Sequence, residues 1–119
     1  SESWQLRVEA ALTIGKLHIV QLETPLIHAL SDLYWQVRIA AVRSLGLLKS
    51  RLAVAHLSDN FNHEISNLRK EVALALGEIG TSEAQNLLEQ HQNDSDPEVR
   101  KAIRIGLNQI DEVKYANQT

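Results

Sequence analysis

The side chains able to ligate a metal or move a proton are five histidines (His18, His28, His56, His63 and His91) and fifteen Asp and Glu residues. Their spacing does not converge. There is no H-E-x-x-H, and His63-Glu64 is an isolated pair. A metal centre needs ligands brought together from defined spacings, so neither metal nor cofactor is expected. The chain has no cysteine. That removes disulfides, thiolate metal sites and cysteine nucleophiles. No G-x-x-x-x-G-K phosphate loop occurs, and nothing reads as a strained nucleophile turn. The expectation is a protein without catalysis. The residues with conspicuous spacing are arginines instead: Arg7, Arg38, Arg69 and Arg100, each 31 residues from the next.

The elements that carry these arginines repeat with them. Apolar residues precede each one (Leu6, Val37, Leu68, Val99) and follow it by three (Ala10, Ala41, Val72, Ile103), by seven (Ile14, Leu45, Leu76, Leu107) and by ten (Leu17, Leu48, Ile79, Ile110). Offsets of −1, +3, +7 and +10 fall on one face of a 3.6-residue helix. Gly15, Gly46 and Gly77 stand eight after the arginine, with Asn108 in the fourth copy. These glycines fit close helix packing or helix ends. Shorter helical stretches lie between, with Leu22, Leu26 and Leu30, then Val54, Leu57 and Phe61, then Ala84, Leu87 and Leu88 on one side. The spacing predicts arginine-bearing helices over 4–17, 35–48, 66–79 and 97–110, and connecting helices over 20–30, 51–61 and 82–92. Ser82, and Asp94 or Ser95 before Pro97, supply start signals. One such unit cannot bury its apolar face alone, so neighbours must stack. The fold class expected is all-α: a right-handed α-solenoid of stacked antiparallel helix pairs over 1–111, followed by a polar tail over 112–119.

The stretch TPLIHALSDLYWQVRIAAVRSLG (24–46) resembles the short HEAT-like repeats of phycobilin lyase subunits, through Pro25, Leu26, Leu30, Asp32, Val37, Arg38, Ala40, Ala41, Leu45 and Gly46. NDSDPEVRKAIRIGL (93–107) matches as well; the third unit departs, with His63 where the others have Asp. The resemblance implies a ladder of Arg7, Asp32, Arg38, Arg69, Asp94 and Arg100 between successive units. It also implies a partner surface on the concave face lined by the arginine-bearing helices. Ankyrin and tetratricopeptide repeats fit less well, because Ile27 displaces His28 from the ankyrin pattern and the tetratricopeptide signature is missing. Deoxyhypusine hydroxylases share this kind of fold and bind two irons through His-Glu pairs after the Leu-Arg motif. LRKEV (68–72) resembles that motif, but Lys70 stands where the histidine would be, and no unit holds the pair.

The outward positions on the arginine-bearing helices are Val8, Glu9, Leu12 and Lys16; Ile39, Ala40, Arg43 and Leu47; Lys70, Glu71, Leu74 and Glu78; and Lys101, Ala102, Ile105 and Gln109. A purely solvated face would be polar. Apolar residues mixed into it fit a partner site, and fit equally a core whose register slips by one. Trp4 and Trp35 share one slot and read either as anchors or as filler between units. Residues 1–60 carry six basic and five acidic side chains, and residues 61–119 six and ten. The net charge of −3 disfavours nucleic acid as a partner. The expected function is therefore a scaffold that binds a protein partner through Trp35, Ile39, Arg43, Lys70, Leu74 and Glu78. A phycobilin lyase-type subunit and an end-to-end stacking unit are the alternatives. The apolar runs are far short of a membrane span and no signal peptide is evident, so no membrane contact and a cytoplasmic location are expected. The sequence has no methionine and opens at a repeat boundary, which suggests a piece of a longer chain.

Overall fold

The computed structural model describes residues 3–118. Seven α-helices and no strands occur among them: α1 (Ser3–Lys16), α2 (Glu23–Ala29), α3 (Trp35–Leu47), α4 (Val54–Asn60), α5 (Ser66–Ile79), α6 (Ser82–Gln90) and α7 (Pro97–Asn117). Single 3-10 turns, Val20–Leu22 and Arg51–Ala53, lead into α2 and α4. The long helices α1, α3, α5 and α7 pack side by side as one layer, each against the next. The short helices α2, α4 and α6 form a second layer over the seams of the first. The result is a slab of 47 × 32 × 19 Å, an α-solenoid of stacked helix pairs.

The 31-residue period is the period of burial. Val37, Leu68 and Val99 are at most 1% exposed, as are Ala41, Val72 and Ile103. Leu26, Leu57 and Leu88 plug the seams from the short-helix layer. Each valine, leucine or isoleucine among them contributes roughly 1.5–3 kcal/mol by leaving water. The first unit is the exception to the core expected from the pattern. Leu6 and Leu17 are 71% and 66% exposed and Ala10 is exposed, because no described element covers that flank of α1.

Between long helices the approach is set by small residues. A Cβ built on Gly15 would stand 2.7 Å from the Ser44 Cα, and one on Gly77 2.5 Å from the Gly106 Cα. Gly46 faces Ala75 in the same way. The long helices end alike as well. His18, Lys49 and Gly80 are 31 residues apart and all have left-handed φ, at 54°, 52° and 72°. This turn reverses the chain into the next short helix.

Three boundaries differ from the sequence reading. The cap of α6 is Thr81, whose Oγ1 accepts from the Ala84 N–H, and Ser82 is already helical. The cap of α7 is Asp96, accepting from the Glu98 and Val99 N–H groups at 2.8 and 3.2 Å. The third is α7 itself, which runs to Asn117 through most of the segment expected to be a tail. No reversing turn occurs at Asp111, the slot of His18, Lys49 and Gly80, and nothing helix-breaking follows. The extension is exposed throughout, with Lys114 donating to Gln85 Oε1.

Candidate functional site: the open face of the long-helix layer

The arginines do not converge on a ligand; they stitch the turns together. Arg7 makes a bidentate pair with Asp32, at 2.7 and 3.1 Å, and Arg69 does the same with Asp94, at 2.9 and 3.0 Å. Each aspartate also accepts from a backbone N–H two residues on, Tyr34 or Asp96. Arg38, Arg69 and Arg100 then donate to the carbonyl oxygens of Asp32, His63 and Asp94, six residues before each. The ladder is broken once. At the His63 slot there is no carboxylate, so Arg38 reaches Asn60 Oδ1 at 3.2 Å instead. The imidazole keeps half of the aspartate's task, with Nδ1 accepting from the Ile65 N–H at 3.0 Å.

Electrostatics follow this wiring. Hydrogen bonds from Arg7 hold the Asp32 carboxyl below its usual range against a desolvation cost, helped by the Tyr34 N–H. Burial pushes the Asp94 carboxyl up, but donation from Arg69 and from the Asp96 N–H outweighs it, and the net direction is down. The arginine partners move up correspondingly.

The residues expected to bind a partner lie on the other side of the long-helix layer, where no short helix sits. Trp35, Ile39 and Arg43 of α3 and Asn67, Lys70 and Glu71 of α5 line a groove of 420 Å³. A second groove, of 240 Å³, continues from Arg43 and Glu71 past Leu47 and Leu74 to Glu78. A third, of 230 Å³, runs from Lys70 and Leu74 to Lys101 and Ile105 of α7. All six proposed contact residues line this one surface. Ile39 and Leu74 are half-buried on it, while Leu47 and Ile105 are 42% and 47% exposed. Ala40 and Ala102 were expected to point outward but are 2% exposed; Ala102 lies at the floor of the third groove, where a methyl is too short to emerge.

Sequence reasoning undervalued three residues on this face. Glu71 bridges α5 to α3 by a bidentate pair with Arg43, at 3.1 and 3.2 Å. Asn67 lies in the groove wall. Gln36 lies there too, and its Oε1 is buried with no hydrogen-bond partner. Glu71 and Lys70 are adjacent outward positions, so an arginine on the preceding helix was the available signal for Glu71. For Gln36 the only signal was its place after Trp35. Burial pushes the Glu78 carboxyl up; Lys49 opposes this and the Glu71 charge adds to it. The two tryptophans divide their roles. Trp4 stacks on Tyr34 of the next unit, with ring centroids 5.4 Å apart, whereas Trp35 is 36% exposed at the groove edge.

No metal-binding group of three or more His, Asp or Glu side chains occurs among the described residues. No helix of the described residues is long and apolar enough to cross a membrane.

Comparison with known proteins places this architecture. No curated protein sequence matches the chain. Among solved structures, human deoxyhypusine hydroxylase in complex with glycerol is similar, at 25% sequence identity and a TM-score of 0.72. That likeness covers 76% of this chain and 32% of the enzyme, so the chain spans about a third of that protein's length. The HEAT repeats family matches residues 23–108, which is most of the chain. The chain therefore belongs to the HEAT repeat family.

Proposed function

We propose that this chain is a non-catalytic scaffold that seats a helix or loop of a protein partner on the open face of its long helices. The observation that carries this reading is the run of three adjoining grooves from Trp35 to Ile105, apolar at Ile39, Leu47 and Leu74 and charged at the rim. Half-buried apolar side chains flanked by charges are what a partner covers, the first giving affinity and the second orientation.

The similarity to deoxyhypusine hydroxylase raises an iron-binding reading, and the residues do not fit it. The slot that would need a histidine holds Lys70, a cation at neutral pH. The adjacent Glu71 is engaged by Arg43 across the seam. The other units present Val8-Glu9, Ile39-Ala40 and Lys101-Ala102. None of the four arginines is followed by the His-Glu pair that would hold iron.

The test places a photo-crosslinking residue at position 39 or 74 and, as a control, at Leu52, which is 67% exposed on the opposite layer. Adducts specific to the first two identify the partner. Ile39→Glu and Leu74→Glu then abolish binding of that partner while helicity is retained. If both charged variants fold and still bind it, the surface is wrong.

A further inference from the structure

The three grooves of the open face differ in charge. In the first, Arg43 and Glu71 neutralise each other through their bidentate pair, which leaves Lys70. In the third, Lys70 and Lys101 stand against Glu98 alone. The second holds Arg43, Glu71 and Glu78, and its excess is negative. Lys70 lines both the first and the third groove and is half-buried. Neither it nor Lys101 makes a salt bridge or hydrogen bond among the described residues. The repeat explains the pattern. Val8, Ile39, Lys70 and Lys101 each follow a ladder arginine, so they form one row across the four long helices. The row is apolar on α1 and α3 and cationic on α5 and α7. Helices packed side by side lie about 8–10 Å apart, which sets the step from Lys70 to Lys101. Glu78 lies eight residues along α5 from Lys70, about 12 Å at the helical rise.

We infer that the partner segment seated on the open face is acidic: it sets an apolar or aromatic side chain beside Trp35 and Ile39 and carboxylates on Lys70 and Lys101. This inference rests on the open face being the partner site. A half-buried ammonium without a partner has given up part of its hydration for nothing in return. An incoming carboxylate replaces that water with a charge-assisted hydrogen bond. The first groove, at 420 Å³, has room for a large side chain next to that contact. A basic segment is the poorer occupant despite the chain's net charge of −3. Of the ten acidic side chains in residues 61–119, only Glu71, Glu78 and Glu98 line these grooves, and Glu71 is taken by Arg43. Glu78 sets the register: carboxylates belong at the Lys70 end, because at the other end they meet a like charge. Nucleic acid offers phosphates to the lysines but no aliphatic side chain to Ile39.

The probe is a phage-displayed library of short random peptides, selected on the intact chain and counter-selected on Ile39→Glu, which spoils the face. Enriched sequences are expected to combine an aromatic or aliphatic residue with two Asp or Glu side chains. A synthetic peptide of the leading sequence should bind Lys70→Glu about tenfold or more weakly, and a version with amides for its carboxylates should lose as much on the wild-type chain. Lys70→Gln, a change too mild to threaten the fold, should weaken the acidic peptide but leave the amide version unaffected. Circular dichroism checks that each variant keeps its helicity. Enriched sequences that are neutral or basic, or binding that both Lys70 variants leave unchanged, overturn the acidic partner while the open face stands. If no sequence survives counter-selection, both readings fail. Displacement of the peptide by a short oligothymidylate also overturns the proposal, since phosphate is then the ligand.

Discussion

Repairing the broken rung of the arginine ladder should stabilise the protein. At Arg7 and Arg69 the aspartate of the next unit accepts a bidentate pair, but Arg38 meets His63 at that slot and makes one contact with Asn60 Oδ1. His63→Asp places a carboxylate where Asp32 and Asp94 already show that it can accept from both the arginine and the N–H two residues on. The Arg69–Asp94 pair is the better guide to its worth, since those side chains are 13% and 8% exposed, against 42% and 13% for Arg7–Asp32. A charge-assisted hydrogen bond at such a site is worth about 1.5–3 kcal/mol, and an exposed pair about 0–1. Desolvating the new carboxylate and losing the Asn60 contact offset much of the gain, leaving about 1 kcal/mol. For a domain of this size that is a rise in Tm of roughly 4 °C. Thermal unfolding followed by circular dichroism at pH 7 measures it. Adding Arg38→Gln should erase the gain, which isolates the pair. An unchanged or lower Tm for His63→Asp, or a gain that survives loss of Arg38, would refute the reasoning.

Other outcomes follow from the same geometry. Gly77→Ala forces a Cβ to 2.5 Å from the Gly106 backbone and should cost about 1–3 kcal/mol or more, read as a lower urea midpoint. Lys49→Gly and His18→Gly relieve left-handed φ and should each stabilise by about 0.5–1 kcal/mol in the same assay, Gly80 being the natural precedent. Asp32 and Asp94 titrate below their ordinary range, so their contribution is complete above the unfolded carboxyl value of about 3.9 and is lost as pH falls through the lower folded values. Asp94→Asn should therefore lower Tm at pH 7, with the gap to wild type closing below about pH 4. Glu78 titrates above its ordinary range, so its charge is a cost at neutral pH that vanishes in acid. Glu78→Gln should raise Tm at pH 7 and converge with wild type as pH falls.

Most of the fold was legible because a solenoid writes its core once per unit. The four arginines gave the register, and the apolar slots around Val37, Leu68 and Val99 gave the buried face. What the pattern missed depends on neighbours, which a repeat position does not encode. Leu6 shares a slot with Val37 but has no unit in front of it among the described residues, so it is exposed. Asp111 shares a slot with Gly80, yet α7 runs straight through it to Asn117, with no glycine or proline to turn the chain there. The grooved side of the long-helix layer was legible in outline from apolar residues in a charged row, and the six chosen residues lie on it. Gln36 and Asn67 were hidden because a groove wall belongs to two helices at once, and periodicity within one helix says nothing of what faces it. The capping error at Asp94 has a similar origin: an aspartate just ahead of a helix can serve the helix or the ladder, and Asp96 took the first task and Asp94 the second.

The two layers are packed by side chains of unequal size, and this has a geometric consequence. On one side the long helices meet through Gly15 with Ser44, Gly46 with Ala75, and Gly77 with Gly106. On the other, neighbours are held apart by bulky groups such as the Phe61 and His91 rings. Each unit is therefore a wedge, narrow at one edge and broad at the other. A row of wedges traces an arc whose radius is written in side-chain volume. Trimming Phe61 or enlarging Gly46 would straighten it and change the span that the grooves can embrace.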